Sequence, residues 1–235
     1  MGTTDVKSRR YDASGRRRAS AQRRRLVVEQ ARRLFLDHGF GGTTVAGVAQ
    51  AADVSVETIY KGFGGKAGLV RAVWEQALEG VGPVPAEERS DAVSAMAEDP
   101  HEVIATWARL SAEVGQRAAP VLALVRAAAA VDPEAAALLA EIDAGRLDRM
   151  RRNAHTLATR GHLRPGLSVE RAAQLMVAIS GSLHEPLVGD AGWSAGEYSE
   201  VVGRLLTAVL LADPPGADPP GADPPEADPP RARTS

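Results

Sequence analysis

The stretch Thr43-Thr44-Val45-Ala46-Gly47-Val48-Ala49-Gln50-Ala51-Ala52-Asp53-Val54-Ser55-Val56-Glu57-Thr58-Ile59-Tyr60-Lys61-Gly62-Phe63 decides the fold. It reads as two helices of about two turns each, joined by a tight turn at Ala52-Asp53. Thr44 and Ser55 stand where N-caps belong, because a side-chain oxygen there satisfies an orphan amide of the first turn. Asp53 suits the turn, since Asp tolerates a left-handed backbone. Helices this short are not stable alone. Val45, Val48, Ala49, Val54, Ile59 and Phe63 must therefore dock onto a preceding helix. That helix is supplied by Leu26, Val27, Ala31, Leu34 and Phe35, a helical stripe that ends at Gly39. Two short helices on a third form a helix-turn-helix, whose last helix points its N-terminus into a DNA major groove.

Outward from this unit the chain divides into four parts. Residues 1–19 are polar and Arg-rich and read as a disordered basic arm. Residues 20–66 form the helix-turn-helix domain. Residues 67–211 keep a helical period almost throughout. Residues 212–235 open with Ala-Asp-Pro-Pro repeats, which exclude helix and sheet and predict an extended, disordered tail. Within the third part, Leu69, Val70, Val73, Trp74, Ala77 and Leu78 predict one long helix. A loop is expected from Gly82 to Pro100. Helices are then expected over 101–116, 118–131, from Pro133 to about 160, from Val169 to a stop at Pro186, and over about 195–211. The expected fold class is all-α, with about nine helices: a three-helix DNA-binding domain followed by a helical ligand-binding and dimerisation domain.

Charge sharpens this division. The whole chain is nearly neutral, with 28 Lys+Arg against 30 Asp+Glu. Residues 1–71 hold 14 basic and 6 acidic side chains, and the remainder holds 14 and 24. The basic half coincides with the helix-turn-helix and its arm, which points to an anionic partner for that end alone. The arm either attracts DNA diffusely or inserts arginine into a narrow minor groove. With no cysteine, thiol catalysis, disulfides and iron–sulfur clusters are excluded. No apolar run reaches the length of a membrane span. No export signal is visible, so a cytoplasmic location is the default. His38, His101, His155, His162 and His184 form no metal-ligand pair at helical spacing. Neither a phosphate-binding glycine loop nor a Ser/His/acid set is recognisable. The chain is expected not to be an enzyme and to need no cofactor.

Taken with Phe35, Gly39-Phe40 and Lys66, the quoted stretch resembles the DNA-binding domain of the tetracycline-repressor (TetR) family over about residues 22–79. The resemblance implies a DNA-contacting set of Thr44, Ser55, Val56, Glu57, Thr58, Tyr60, Lys61 and Lys66. Thr44 and Lys66 fall on the family's phosphate-binding positions. Thr58 and Tyr60 fall on positions that touch phosphate or base. Each is a donor at a helix start or groove rim, as phosphate positioning requires. Three positions depart from the family. Asp53 replaces the usual Gly of the turn. Glu57 replaces a common Gly, where it is either an exposed acid that reads no base or an acceptor for a cytosine amino group. Gly62 replaces a frequent phosphate-binding His, with Lys61 beside it as the substitute.

For the second domain, the residues leave two readings of the last two helices: internal core, or core plus partner contacts. The resemblance implies the latter, a four-helix interface between two copies formed by Leu175, Met176, Ile179, Leu183, Val202, Leu205, Leu206 and Val209. The stripe Leu139, Ile142, Arg146, Met150, Asn153 and Leu157 sets Arg146 and Asn153 on an otherwise apolar helix face. With Trp107 and Ser111 opposite, these residues either line a small-molecule pocket or form ordinary core with polar edges. The expected function is a homodimeric repressor that binds a palindromic double-stranded DNA operator and is released by a small-molecule effector. The alternative is a helical ligand-binding or scaffolding protein with weak or non-specific DNA binding.

Overall fold

The structure, a computed structural model, describes residues 13–212. The remainder of the expected arm and nearly all of the expected tail lie outside these residues. Helix α1 spans Ala13–Gly42 and is interrupted at Gly39, whose φ of 73° and ψ of 173° suit glycine. Its start corrects an expectation: residues 13–19, read as part of a disordered arm, are helical. Ala, Arg and Gln are strong helix formers. Extending a helix that is already docked needs no new nucleus.

Helices α2 (Val45–Ala51) and α3 (Val56–Phe63) lie where their caps predict. Asp53 between them has a φ of 52°, the left-handed turn expected of it. Helix α4 (Lys66–Leu78) follows after Gly64 and Gly65, both at positive φ. Val27, Ala31, Phe35, Val48, Ile59, Leu69 and Val70 are all nearly inaccessible and make one core.

Two corrections concern the segment 82–131. The expected loop contains helix α5 (Ala86–Met96). Its buried positions are Ala86, Ser90 and Ser94, small residues spaced by four. Such a face packs closely against a neighbour but carries no large apolar signal in the sequence. Glu87 and Glu88 favour its N-terminus through the helix dipole. Beyond it, the two helices expected over 101–131 are one, α6 (Pro100–Ala129), with Pro120 inside it. An interior proline costs about 3 kcal/mol. Burial on both sides offsets this: Ile104, Trp107 and Ala108 before it, Val121, Leu122 and Val125 after it.

Helix α7 (Pro133–Thr159) is capped by Asp132, which accepts from the Ala135 amide at 3.0 Å. Helix α8 (Val169–Ser182) is followed by a π-helical turn, Glu185–Asp190, that begins at the expected proline stop. Helix α9 (Ala195–Leu210) opens with a reciprocal capping box between Ser194 and Glu197. The described residues thus contain nine α-helices, reached by a different partition from the one expected. They contain no strand, only a single bridge between Leu163 and Leu211.

Two buried clusters organise these helices. The first unites α1–α4 with the second half of α6 and the first half of α7. The second unites the first half of α6, the second half of α7, α8 and α9. Helices α6 and α7 therefore belong to both, and a cavity lies between them.

Candidate nucleic-acid interface and ligand cavity

The exposed edge of the helix-turn-helix is built by its caps. Thr44 Oγ1 accepts from the Gly47 amide at 3.0 Å, which leaves its own proton free to face outward. Ser55 Oγ accepts from the Thr58 amide at 3.1 Å and lies 2.8 Å from the Thr58 hydroxyl. Ile59, wholly buried, anchors α3 so that its other side faces solvent. Thr44, Ser55, Val56, Glu57, Thr58, Tyr60 and Lys61 are all exposed. Tyr60 is 56% exposed, with its ring laid beside Gly65. Lys66 is only half-buried, and its ammonium sits 4.2 Å over the Phe40 ring. The predicted contact residues thus share the surface around α3, with donors at the starts of α2, α3 and α4.

Three supporting residues were not legible as such. Thr43, 3% exposed, places its hydroxyl 2.9 Å from the carbonyls of both Leu34 and Gly39 and closes the end of α1. Arg24 fastens α1 to the C-terminus of α3 at Gly62 and Phe63. Gly68 passes so close to α3 that a Cβ there would lie 1.6 Å from the Phe63 carbonyl oxygen.

Behind this domain lies a cavity of about 660 Å³, walled by α4, α5, α6, α7 and the end of α8. Trp107, Ser111, Arg146, Met150 and Asn153, the five residues expected to face a pocket, all line it. The sequence missed the contribution of α5, through Ser90 and Glu87, and that of His184. Most of the wall is apolar. Trp107 donates its indole N–H to Ser94 of α5 at 3.1 Å, so the ring offers only its apolar face. Salt bridges join the walls: Arg71 to Glu141 at 2.5 Å, and Arg149 to Glu87 at 3.1 Å and to Asp91 at 2.7 Å.

His184 stands apart. It is 6% exposed, and neither ring nitrogen has a hydrogen-bond partner. Each such buried orphan costs roughly 1–3 kcal/mol. Burial holds the imidazole below its ordinary pKa, an effect that the Glu185 carboxylate opposes without reversing. The ring is edge-on to Tyr198, with centroids 5.1 Å apart.

The residues expected at a subunit interface separate into two sets. Met176, Val202 and Leu206 are 0–2% exposed and face the chain's own second core, which corrects their placement on a partner face. An amphipathic helix buries one stripe, and these residues occupy it. Leu175 and Leu205 are 37% and 40% exposed, and Ile179, Leu183 and Val209 are half-buried.

Residues 27–73 match the family model for bacterial regulatory proteins of the tetR family. These residues form a tetR-family domain. Among curated protein sequences none matches the chain. Three solved structures extend the likeness beyond the tetR-family domain. A TetR-family transcriptional regulator from Syntrophomonas wolfei, described as putative in its own name, is 18% identical, with a TM-score of 0.67 over 80% of this chain and 95% of that one. NalD, the secondary repressor of the MexAB-OprM multidrug efflux pump in Pseudomonas aeruginosa, is 18% identical, with a TM-score of 0.64 over 82% and 98%. The SmeT–triclosan complex is 20% identical, with a TM-score of 0.63 over 88% and 99%. The helices behind the tetR-family domain thus share the fold of TetR-family transcriptional regulators. No helix among the described residues is long and apolar enough to cross a membrane.

Proposed function

We propose that the protein is a homodimeric repressor that holds a palindromic operator through α3 and releases it when a small molecule enters the cavity. The observation that carries this reading is the double role of α4. Leu69, Val70 and Val73 of α4 are buried in the core of the helix-turn-helix domain. Trp74 and Leu78 of the same helix line the cavity. A ligand that prefers one setting of α4 therefore biases the setting of the recognition helix. Differential affinity for the two settings is the whole of the effect, and a coupling of about 1–3 kcal/mol changes operator affinity 5- to 150-fold. NalD, a repressor by name, and SmeT, held with triclosan, support repression and ligand capture by analogy. The exposed Leu175 and Leu205, flanked by Ile179, Leu183 and Val209, suit self-association, which a two-fold operator requires.

The experiment is selection of double-stranded DNA on the full chain, followed by affinity measurements as salt is varied. A preferred palindrome should emerge, with log affinity falling steeply against log salt. Equal weak binding to every sequence would sink the repressor reading. In parallel, Leu205→Arg should convert a dimer into monomers by sedimentation and weaken operator binding. An unchanged sedimentation coefficient would remove α9 from the interface.

A further inference from the structure

Two polar groups in the cavity keep hydrogen-bonding capacity at one place. The Arg146 guanidinium runs to α8 and lies against Gly181, where a Cβ would sit 1.8 Å from Nη2. His184 follows Gly181 by three residues, and its own backbone is still helical, so both groups meet the same turn. The His184 ring fits there because Gly115 of α6 has no side chain; a Cβ at Gly115 would lie 2.3 Å from the ring.

Several neighbouring groups are committed elsewhere. The Tyr198 hydroxyl donates to the Ser180 carbonyl at 2.7 Å. Arg146 gives one N–H to Asp143 at 3.1 Å, and that carboxylate is half exposed. Of the acids in the wall, Glu141 is held by Arg71 and Glu87 by Arg149 and Arg152, while Glu75 and Glu79 of α4 are exposed to solvent. Glu185, beside His184 in sequence, is exposed and is not part of the wall. The Arg146 guanidinium and the neutral His184 imidazole, which meet α8 at positions three residues apart, can each supply an N–H, and neither repels an anion. An alcohol can accept from one of them and leaves the other idle. A carboxylate has an oxygen for each.

We infer that the effector is an amphipathic organic acid, its carboxylate held by Arg146 and His184 and its apolar body lying along Trp107, Leu110, Met150 and Met176. This rests on the reading of the cavity as the effector site. It adds the chemical class of the effector and the two side chains that select it.

The test is calorimetric titration of the full chain with carboxylates from hexanoate to tetradecanoate, each paired with the alcohol of the same length. The best acid should bind at least tenfold more tightly than its alcohol. His184→Phe keeps the ring's shape, and Arg146→Met keeps much of its stem. Each should bring the acid down to the level of the alcohol while the thermal transition of His184→Phe stays the same or rises. Equal affinity of acid and alcohol, an acid preference that survives both variants, or no binding by any acid of the series overturns the proposal. Met150→Trp and Leu110→Trp, which fill the apolar part, tell the two readings apart. If acid and alcohol bind equally and both filling variants abolish binding, the cavity reading stands and the carboxylate assignment falls. If filling the cavity leaves binding unchanged, the cavity reading falls with it.

Discussion

The guanidinium of Arg24 lies 4.4 Å over the ring of Phe63 and donates a 3.1 Å hydrogen bond to the carbonyl of Gly62. This contact ties the Arg-rich part of α1 to the last turn of α3. It sets a cation at a helix C-terminus, where the dipole favours it. Arg24→Ala should therefore cost about 1 kcal/mol in urea denaturation, the scale of an exposed cation–π contact. Arg23, its neighbour, has no such ring contact and should be close to neutral when changed to Ala. Equal effects at the two positions would show that net charge alone is at work.

How much of this was legible depends on what each element uses as its signal. Helices α2 and α3 announce themselves through Thr44, Asp53 and Ser55, residues whose local chemistry fixes a cap or a turn whatever surrounds them. Arg146 and Asn153, which line the cavity, stood out because they interrupt an apolar stripe at helical spacing. Helix α5 was not, because its inner face is Ala86, Ser90 and Ser94, and small residues give no hydrophobic period. Continuity through Pro120 depends on burial supplied by α1, α4 and α7, which no local window contains. His184 reads as a lone histidine near a helix end. Its orphaned nitrogens come from Gly115 and Tyr198, which approach from distant parts of the chain.

The junction between α3 and α4 depends on a missing side chain. A Cβ at Gly68 would stand 1.6 Å from the Phe63 carbonyl oxygen, and backbone cannot swing aside as a side chain does. Gly68→Ala should lower stability by roughly 1–3 kcal/mol, the range for forced overpacking, and should disturb the docking of α3. Gly62→Ala is the control. Its Cβ meets open space inside a helix, so alanine should raise stability by roughly 0.5–1 kcal/mol. Thermal melts of the pair check both signs, and a neutral Gly68→Ala would contradict the close approach.

Lys66 is held rather than free. With its ammonium 4.2 Å over the Phe40 ring at the start of α4, it carries a charge already oriented at the edge of the α3 surface. If that charge meets phosphate, Lys66→Ala should weaken every DNA sequence by a similar factor and flatten the salt slope by roughly one unit. Anisotropy titrations on the selected palindrome and on a scrambled duplex measure both effects. A loss confined to the palindrome would assign Lys66 to base reading instead.

Glu113 of α6 fastens the segment after α4. Its carboxylate accepts from Arg89 of α5 at 2.5 and 2.9 Å and from the Val81 amide at 2.5 Å, and Arg117 holds the Gly80 carbonyl at 3.1 Å. The hydrogen bond from Arg89 is the main reason that the Glu113 pKa is lowered, against an opposing effect of burial. A carboxylate lowered in the folded state contributes stability above its unfolded pKa and loses it as pH falls through the folded one. The unfolded value is about 4.3. Wild type should thus exceed Glu113→Gln by a constant margin from neutral pH down to about 5, and the margin should shrink in more acid solution. Arg89 stays charged throughout, because the same pairing raises its pKa further. Both side chains are partly exposed, which screens the pair and holds the neutral-pH margin to about 1 kcal/mol. Urea titrations at a series of pH values give the curve. A margin that grows on acidification would mean that Glu113 is destabilised in its charged form, contrary to its three donors. A constant margin would mean that the amide cannot replace the carboxylate in shape, independent of charge.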